Sequence, residues 1–164
     1  MPFETVALCY IRRMLLDSLL VPQTLVRPRS FVGLMALYES NYLRLLRLVP
    51  ELERLDGCFR SRVAGDCDLY VEILERSRYT VTISLTYYFN SDAGRVADPD
   101  LRVRAYLDGR LAEATSLCGE HRHAELLRIE RAHRRELNSR WRRNMILNKW
   151  LEYLSEQGHL ILER

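Results

Sequence analysis

The stretch from Arg78 to Asn90 constrains the fold of this chain more than any other. Apolar side chains occupy every second position, and mostly threonine, serine and other polar types stand between them. A period of two in β-branched and aromatic residues predicts a strand with one face on a core and the other on water. A sheet is therefore the predicted scaffold. The apolar side chains expected to face covering helices are those of Tyr79, Val81, Ile83, Leu85, Tyr87 and Phe89.

A second strand signal runs from Leu101 to Leu117 and has Asp108-Gly109 at its centre. Asp-Gly is typical of a two-residue type I′ turn, because that turn needs positive φ at both central residues. Pairing outward from this turn places Arg104 directly opposite Glu113. Such a cross-strand charge pair contributes about 0.2 to 1 kcal/mol. We expect the pair to be structural, and the alternative is that Arg104 binds a ligand carboxylate or phosphate.

The segment from Ser30 to Pro50 is predicted to be the first helix. Ser30 is a suitable N-cap, apolar residues from Phe31 to Val49 recur at spacings of three and four, and Pro50 ends the run. A hairpin follows, with strands over 59–64 and 67–74 and a turn at Gly65-Asp66. The residues 91–100, which include a glycine and a proline, are predicted to form a surface loop.

The last helix is predicted from a broad apolar face between residues 146 and 154. Asn138 or Ser139 is the expected N-cap, and Gly158 is the expected C-terminal stop. His159 follows this stop and is expected at the surface. The stretch from His121 to Leu137 is predicted either as a packed helix or as a mobile arm, because its apolar residues form no single face.

These elements predict an α+β fold. We expect a five-stranded antiparallel meander sheet, with an N-terminal helix and one or two C-terminal helices packed on one face. Residues 30–164 are predicted to be a single domain, and residues 1–29 an N-terminal extension that is partly ordered or docked. Met1 and Met14 both fit the start of the natural protein.

Composition and motifs exclude several classes of protein. The four cysteines show no C-x-x-C spacing, which argues against a zinc site or a disulfide framework and favours reduced thiols in the cytoplasm. No apolar run approaches the roughly 20 residues of a membrane span, and there is no signal-peptide pattern. Phosphate-binding glycine loops, nucleophile elbows and histidines at metal spacing are missing from the sequence. We therefore predict no metal, no cofactor and no membrane association.

A set of short motifs between residues 31 and 160 adds a family resemblance. They are Glu39 to Tyr42, Arg47 to Pro50, Arg78 to Thr80, Pro99, Val103, Arg104, Tyr106, Asp108, Ala112, Glu113, Asn144, Trp150, Leu151 and Gly158. In this combination the chain resembles the DUF1249 family of uncharacterised bacterial proteins. The resemblance implies no established activity. The Arg-rich stretch from His121 to Arg143 departs from the family pattern, so a function carried by that segment would differ here.

The first functional hypothesis is a non-catalytic binding or adaptor domain. Tyrosines and arginines on the polar face of the sheet, Tyr70 and Tyr88 among them, are types enriched at interfaces, although an ordinary solvated face has the same composition. The partner would be an unknown protein, and self-association is compatible with this hypothesis. The candidate ligand-binding or partner-binding residues are Arg104, Glu113, Tyr106, Arg102, Glu39 and Asn41.

Two alternatives remain. The first is binding of an anion or nucleic acid by residues 121–149, where nine basic residues stand against three acidic ones and give a local charge of +6. Its candidate residues are Arg131, Arg134, Arg135, Arg140, Trp141, Arg142 and Arg143. The second is an enzyme acting on a small nucleotide-like molecule, with a site formed by Arg104, Glu113, Glu39 and Asn41. No nucleophile or metal cluster supports a reaction, so an enzyme is the less favoured hypothesis.

Overall fold

The computed structural model describes residues 29–91, 94–118 and 136–162. Its five strands form one antiparallel sheet in chain order, with one helix before them and one after them, which confirms the predicted α+β meander. Nearly all of the predicted N-terminal extension and most of the 121–137 segment lie outside the described residues. The elements are α1 (Phe31–Leu48), β1 (Cys58–Ser61), β2 (Leu69–Arg76), β3 (Thr80–Ser91), β4 (Gly94–Tyr106), β5 (Leu111–Cys118) and α2 (Glu136–Gln157).

The first helix begins and ends where the sequence predicts. The hydroxyl of Ser30 accepts a hydrogen bond from the amide of Gly33 at 3.1 Å, which satisfies one of the open donors of the first turn. The amide of Val49 still bonds to the carbonyl of Leu45, and Pro50 follows. The link to β1 is then fixed by Arg76, whose guanidinium donates to the carbonyls of residues 52, 53 and 55.

The alternation along β3 places its apolar residues in the core as predicted, except at the two ends. The side chains of Val81, Ile83, Leu85 and Tyr87 are at most 1% exposed. Phe89 is only half-buried, because it lies beyond Tyr87, the last residue of β3 that pairs with β2. Tyr79 is 49% exposed, so its predicted inward orientation is wrong. It precedes the strand, in a turn where the amide of Ser77 bonds to the carbonyl of Thr80.

The hairpin of β4 and β5 has the predicted register but not the predicted turn. Tyr106 pairs with Leu111, and Arg104 pairs with Glu113. The turn is not type I′, because Asp108 and Gly109 do not have positive φ; Arg110 has φ 51° instead. Residues 107–110 form a four-residue connection in which the Asp108 carboxylate accepts from the amide of Gly109 at 2.8 Å. This longer turn brings the same residues opposite each other, so the register is unchanged.

The surface loop predicted for residues 91–100 is wrong. β3 continues to Ser91 and β4 begins at Gly94, so both strands extend beyond their neighbours as a two-stranded ribbon. A register shift between Thr86 and Tyr88 accommodates Pro99, which lacks the amide hydrogen that a regular ladder position needs. Gly94 has φ 114° and turns the chain into β4. Residues that usually break a strand therefore shape this one.

The second helix covers the same side of the sheet as α1. Leu147, Trp150, Leu151 and Leu154 are all at most 1% exposed and pack against the apolar side of the strands, as predicted. Gly158, with φ 87°, ends the helix as predicted. The predicted N-cap at residue 138 or 139 is wrong, because the helix already includes both residues.

Candidate functional site

The side of the sheet opposite the helices is the candidate site, and we call it the open face. In the described parts of the chain, both helices pack on the other side. Along β3 the open face shows a row of small hydroxyl side chains, from Thr80 to Thr86. Longer side chains of β2 and β4 stand on both sides of this row, and Thr82 and Thr86 are only 8% and 4% exposed. The open face is therefore a shallow polar groove along β3.

Tyrosine and arginine side chains are stacked at one end of this groove. The rings of Tyr70 and Tyr88 meet edge to face with centroids 5.0 Å apart. The guanidinium of Arg95 lies 3.9 Å from the centroid of Tyr88 and 5.0 Å from that of Tyr70. Arg60 lies 5.4 Å from the centroid of Tyr70 and forms an ion pair with Asp68. Cation–π contacts of this kind hold a guanidinium in one orientation.

The predicted candidates Arg102 and Arg104 lie further along β4 on the same face. Arg102 is exposed, and within the described residues its guanidinium has no hydrogen-bond or ion-pair partner. Arg104 lies over the groove, where its Nε donates to the hydroxyl of Thr82 at 3.3 Å and its Nη2 lies 3.7 Å from the carboxylate of Glu75. Arg104 is thus engaged within the chain, whereas Arg102 is available to a ligand.

The predicted candidates Glu113 and Tyr106 form a small cluster with Tyr38, at the edge where α1 passes β5. The Glu113 carboxylate accepts from the hydroxyl of Tyr106 at 2.7 Å and from that of Tyr38 at 2.9 Å. Burial, together with the hydrogen bond to Glu113, raises the pKa of Tyr38 to about 12. The same two causes raise the pKa of Tyr106. The carboxylate therefore ties the helix to the sheet.

Charges on the open face are balanced. Its strand positions hold four arginines and four carboxylates: Arg60, Arg95, Arg102 and Arg104 against Glu72, Glu75, Asp100 and Glu113. The uniform negative charge of a nucleic-acid backbone finds no matching positive field on such a surface. A mixed surface of this kind instead suits a protein partner with its own complementary mixture of charges.

The other two predicted candidates, Glu39 and Asn41, do not join this group. Glu39 is exposed on α1, and Asn41 is completely buried between α1, α2 and the outer edge of β5. Asn41 donates to the side-chain oxygen of Asn144 at 3.1 Å and accepts from Asn148 at 3.0 Å. Asn144 also accepts from the amide of Ala114 at 2.8 Å. These asparagines bond the helices to the edge strand, so Asn41 is a structural residue.

Nucleic-acid binding needs an exposed aromatic ring and unpaired arginines, and the described candidates for it do not provide them. Trp141 is 5% exposed and packs with Leu34, Leu37 and Met145, so its ring cannot stack on a base. Arg143 donates to the carbonyl of Ala114 at 3.3 Å and to Ser139 at 2.6 Å. Arg140 and Arg142 also have partners within the chain. The remaining candidates, Arg131, Arg134 and Arg135, lie outside the described residues.

A buried polar cluster at the end of the chain was missed by the sequence analysis. His159 is 3% exposed, so its predicted surface position is wrong. Its Nε2 lies 3.2 Å from the carboxylate of Asp66, which also accepts from Tyr87 at 2.8 Å and Tyr153 at 2.9 Å. Burial alone would raise the pKa of Asp66, but the hydrogen bonds from His159, Tyr87, the Cys67 amide and Tyr153 outweigh it and lower that pKa. Only long-range contacts reveal this cluster.

The same cluster includes a serine and has the composition of a hydrolase triad, but its geometry is structural. Nδ1 of His159 lies 3.0 Å from the hydroxyl of Ser61, and that hydroxyl also accepts from the amide of Leu160 at 3.3 Å. Ser61 is 7% exposed. A serine nucleophile must reach a substrate, and this one is covered and already bonded to the chain end. The amide of Ile161 bonds to the carbonyl of Leu48 at 2.8 Å, so this cluster fastens the C-terminal tail.

Comparison with known families is decisive for residues 44–160. They match the model of the family described as "Protein of unknown function (DUF1249)", and this range is most of the chain. The chain belongs to the DUF1249 family. The resemblance inferred from the sequence motifs is thereby confirmed. Neither the curated proteins nor the solved structures contain a match.

The DUF1249 match includes the whole sheet with its open face, and also Asp66 and His159, but it begins after Tyr38 and Asn41. Membership brings no activity with it, so the function of this DUF1249 protein has to be argued from its geometry. No group of three or more metal-binding side chains occurs in the described residues. The helices in those residues are also too short or too polar to span a membrane.

Proposed function

We propose that this DUF1249 protein is a non-catalytic binding domain that receives a protein partner on its open face. The observation that carries the proposal is the one-sided cover of the sheet. Helices bury one side, while the other presents Arg102, Arg95 and Tyr88 to solvent beside a shallow groove. Tyr88 is 40% exposed. Tyrosine and arginine are the types that contribute most to binding energy at protein interfaces.

The charge balance of the open face supports a protein partner over a nucleic acid. On the open face, β4 carries three arginines and Asp100, while β2 carries Glu72 and Glu75 on the other side of β3, so a partner must supply both signs in the right places. Electrostatic complementarity of this kind gives specificity and a fast association rate. The burial of Trp141 removes the stacking residue from the nucleic-acid alternative.

The enzyme alternative lacks an assembled site. Asn41 is buried beside the edge of β5, while Arg104 lies on the open face and is bonded to Thr82. Glu113 is held by two tyrosine hydroxyls. These side chains are occupied in the fold and do not converge on one cavity. We therefore favour binding without chemistry, in the cytoplasm of a bacterium, where the exposed Cys58 remains reduced.

Affinity capture from a cell lysate tests the proposal. We expect the wild-type chain to retain a defined partner that the folded Arg102→Glu variant loses by at least tenfold, because the new carboxylate repels the partner's acidic group. Arg47→Glu is the matched control, since Arg47 is exposed on α1 and away from the open face. Equal capture by Arg102→Glu and wild type would overturn the proposal. Sedimentation of the purified chain shows whether the partner is a second copy.

A further inference from the structure

We infer that Arg95 is an oxyanion-binding residue that receives an aspartate or glutamate carboxylate of an extended partner segment lying along β3. This inference rests on the proposed function, because it names the partner chemistry of the same face. It differs from that proposal in assigning one residue, one ligand group and one spacing. The order of charges along β4 carries the assignment.

The setting of Arg95 is that of a prepared anion site. Its guanidinium contacts the rings of both Tyr70 and Tyr88, and within the described residues it has no carboxylate partner. Two ring contacts restrict the rotation of a long side chain, so less conformational entropy is lost when an anion binds. The planar guanidinium can then offer two parallel N–H groups to one carboxylate.

Arg78 provides an internal comparison. Its guanidinium lies 5.0 Å from the ring centroid of Tyr79, in the turn before β3. Both residues are exposed, and one ring is present rather than two. Arg78 therefore has the same residue type and a related cation–π contact, but it lies outside the groove. It is the natural control for Arg95.

The register of β3 and β4 fixes the spacing of the ligand. Arg102 pairs with Ser84, Asp100 with Thr86 and Arg95 with Asn90. The Cα positions of the two arginines are thus separated by six positions of β3, or about 20 Å at the rise of an extended strand. Asp100 lies between them and is bonded to Ser84 at 3.4 Å. The complementary segment places an acidic residue on each arginine and a basic one on the aspartate.

Because an extended segment has a period of two, its residues six positions apart face the same way, whereas residues five positions apart face opposite ways. A partner segment that follows the backbone register of the two arginines therefore carries carboxylates six positions apart, which is an even spacing. The basic residue that meets Asp100 belongs two positions after the acidic residue that meets Arg102. A nucleic acid cannot reproduce this alternation of charge.

The test is a titration of the full chain, followed through the arginine side-chain Nε–H signals in the NMR spectrum. The probe is a capped seven-residue peptide with glutamates at its two ends, lysine at the third position and serine elsewhere. The control peptide has the same composition, with the last glutamate moved one position inward. We expect the first peptide to bind at least fivefold more tightly and to shift the Arg95 signal. An oligothymidine strand serves as the nucleic-acid probe.

Variants separate this inference from the proposed function. Arg95→Gln should weaken binding of the peptide at least fivefold, whereas Arg78→Gln should leave it unchanged. Equal affinity for the two peptides, equal loss in the two variants, or no binding to wild type would overturn the inference. Tighter binding of the oligothymidine would overturn the partner class. If Arg95→Gln still captures the lysate partner that Arg102→Glu loses, the inference fails while the proposed function stands.

Discussion

The two sides of the sheet use their polar side chains in opposite ways. On the covered side, Asn41, Asn144 and His159 are at most 3% exposed, and each has partners on another element of the fold. On the open face, Arg95 and Arg102 are exposed and have no carboxylate partner within the described residues. Arg104 has the same residue type but is bonded to Thr82 and close to Glu75, so residue type alone does not distinguish a binding site from a structural bond. Burial and partners do.

This contrast can be tested through stability, because a satisfied buried group and an unpaired exposed one have very different effects when removed. When one partner of a buried hydrogen bond is removed, the other has neither a protein partner nor water to bond, which costs about 1 to 3 kcal/mol of stability. Substitutions at exposed sites usually change stability by less than about 0.5 kcal/mol. Covered-side variants should therefore lose stability, and open-face variants should lose binding only.

The largest effect is expected at Asn144. The Asn144→Ala variant leaves the backbone amide of Ala114 without its acceptor. It also removes the nearest acceptor of the Asn41 side-chain amide, which keeps only the longer contacts to the carbonyls of Ala112 and Asn144. One unpaired buried amide and one weakened buried amide should together lower the free energy of unfolding by about 3 kcal/mol. Chemical denaturation measures this loss, with the exposed-site variant Glu39→Ala as the control. A loss below about 1 kcal/mol would mean that water can replace the lost hydrogen bonds, and it would weaken the contrast between the covered side and the open face.

The second effect concerns Asp66 and depends on pH. Its pKa is lowered in the fold from an ordinary value of 3.8, so the charged form stabilises the native state above that value. This stabilisation should disappear as the pH falls through the lowered pKa. We expect Asp66→Asn to lower the free energy of unfolding by about 2 kcal/mol at pH 7, because the hydrogen bonds no longer have a charged acceptor.

Unfolding curves between pH 2 and pH 7 check this prediction. The difference between Asp66→Asn and wild type should narrow as the solution becomes more acidic than about pH 4. Asp56→Asn is the control, since Asp56 is exposed and, among the residues that the structure describes, its carboxylate accepts only from the adjacent amide of Gly57. A difference that stays constant down to pH 2 would mean that Asp66 is not stabilised in its charged form.

A smaller effect is expected where α1 meets β5. Tyr38→Phe removes one of the two hydroxyls bonded to Glu113. This variant should lower the free energy of unfolding by about 1 kcal/mol at pH 7. The pKa of Tyr38 is raised to about 12, so its hydroxyl stays protonated in the fold when the unfolded chain has begun to ionise. This contribution is present below pH 10 and is lost as the pH rises toward 12.

Alkaline unfolding of the two proteins tests the sign of this effect. Wild type should lose stability more steeply than Tyr38→Phe between pH 10 and pH 12, so the two curves converge there. Tyr79→Phe provides the comparison, because Tyr79 is 49% exposed and lies in a turn. Curves that stay parallel throughout this range would show that the Tyr38 hydroxyl contributes nothing through its protonation.

Much of the scaffold could be predicted from the sequence, because it depends on local rules. The alternation in β3 fixes which side chains face the core, and the pairing of Arg104 with Glu113 follows from a turn centred near residue 108. Local rules also produced the errors. A glycine and a proline between residues 91 and 100 suggested a loop, but a glycine at the start of a strand and a bulge at Pro99 keep the ribbon continuous.

The hydrogen-bond partners of the polar side chains could not be predicted in the same way. Glu113 was expected to face Arg104, but its carboxylate accepts from Tyr38, which is 75 residues away in the chain. His159 contacts Asp66 across 93 residues. Such contacts depend on how the helices dock and on where the tail returns, and no spacing in the sequence encodes them. The strand positions of these residues could therefore be predicted, but their hydrogen-bond partners could not.

The smallest effect is expected at Arg102, and it is the most informative. Because this guanidinium is exposed and has no partner within the described residues, Arg102→Glu should change the free energy of unfolding by less than about 0.5 kcal/mol. The same variant should lose the captured partner. A stable fold without binding means that the residue acts outward, whereas a loss of 2 kcal/mol or more would mean that Arg102 belongs with the structural groups of the covered side. Only the first outcome keeps the two sides of the sheet distinct.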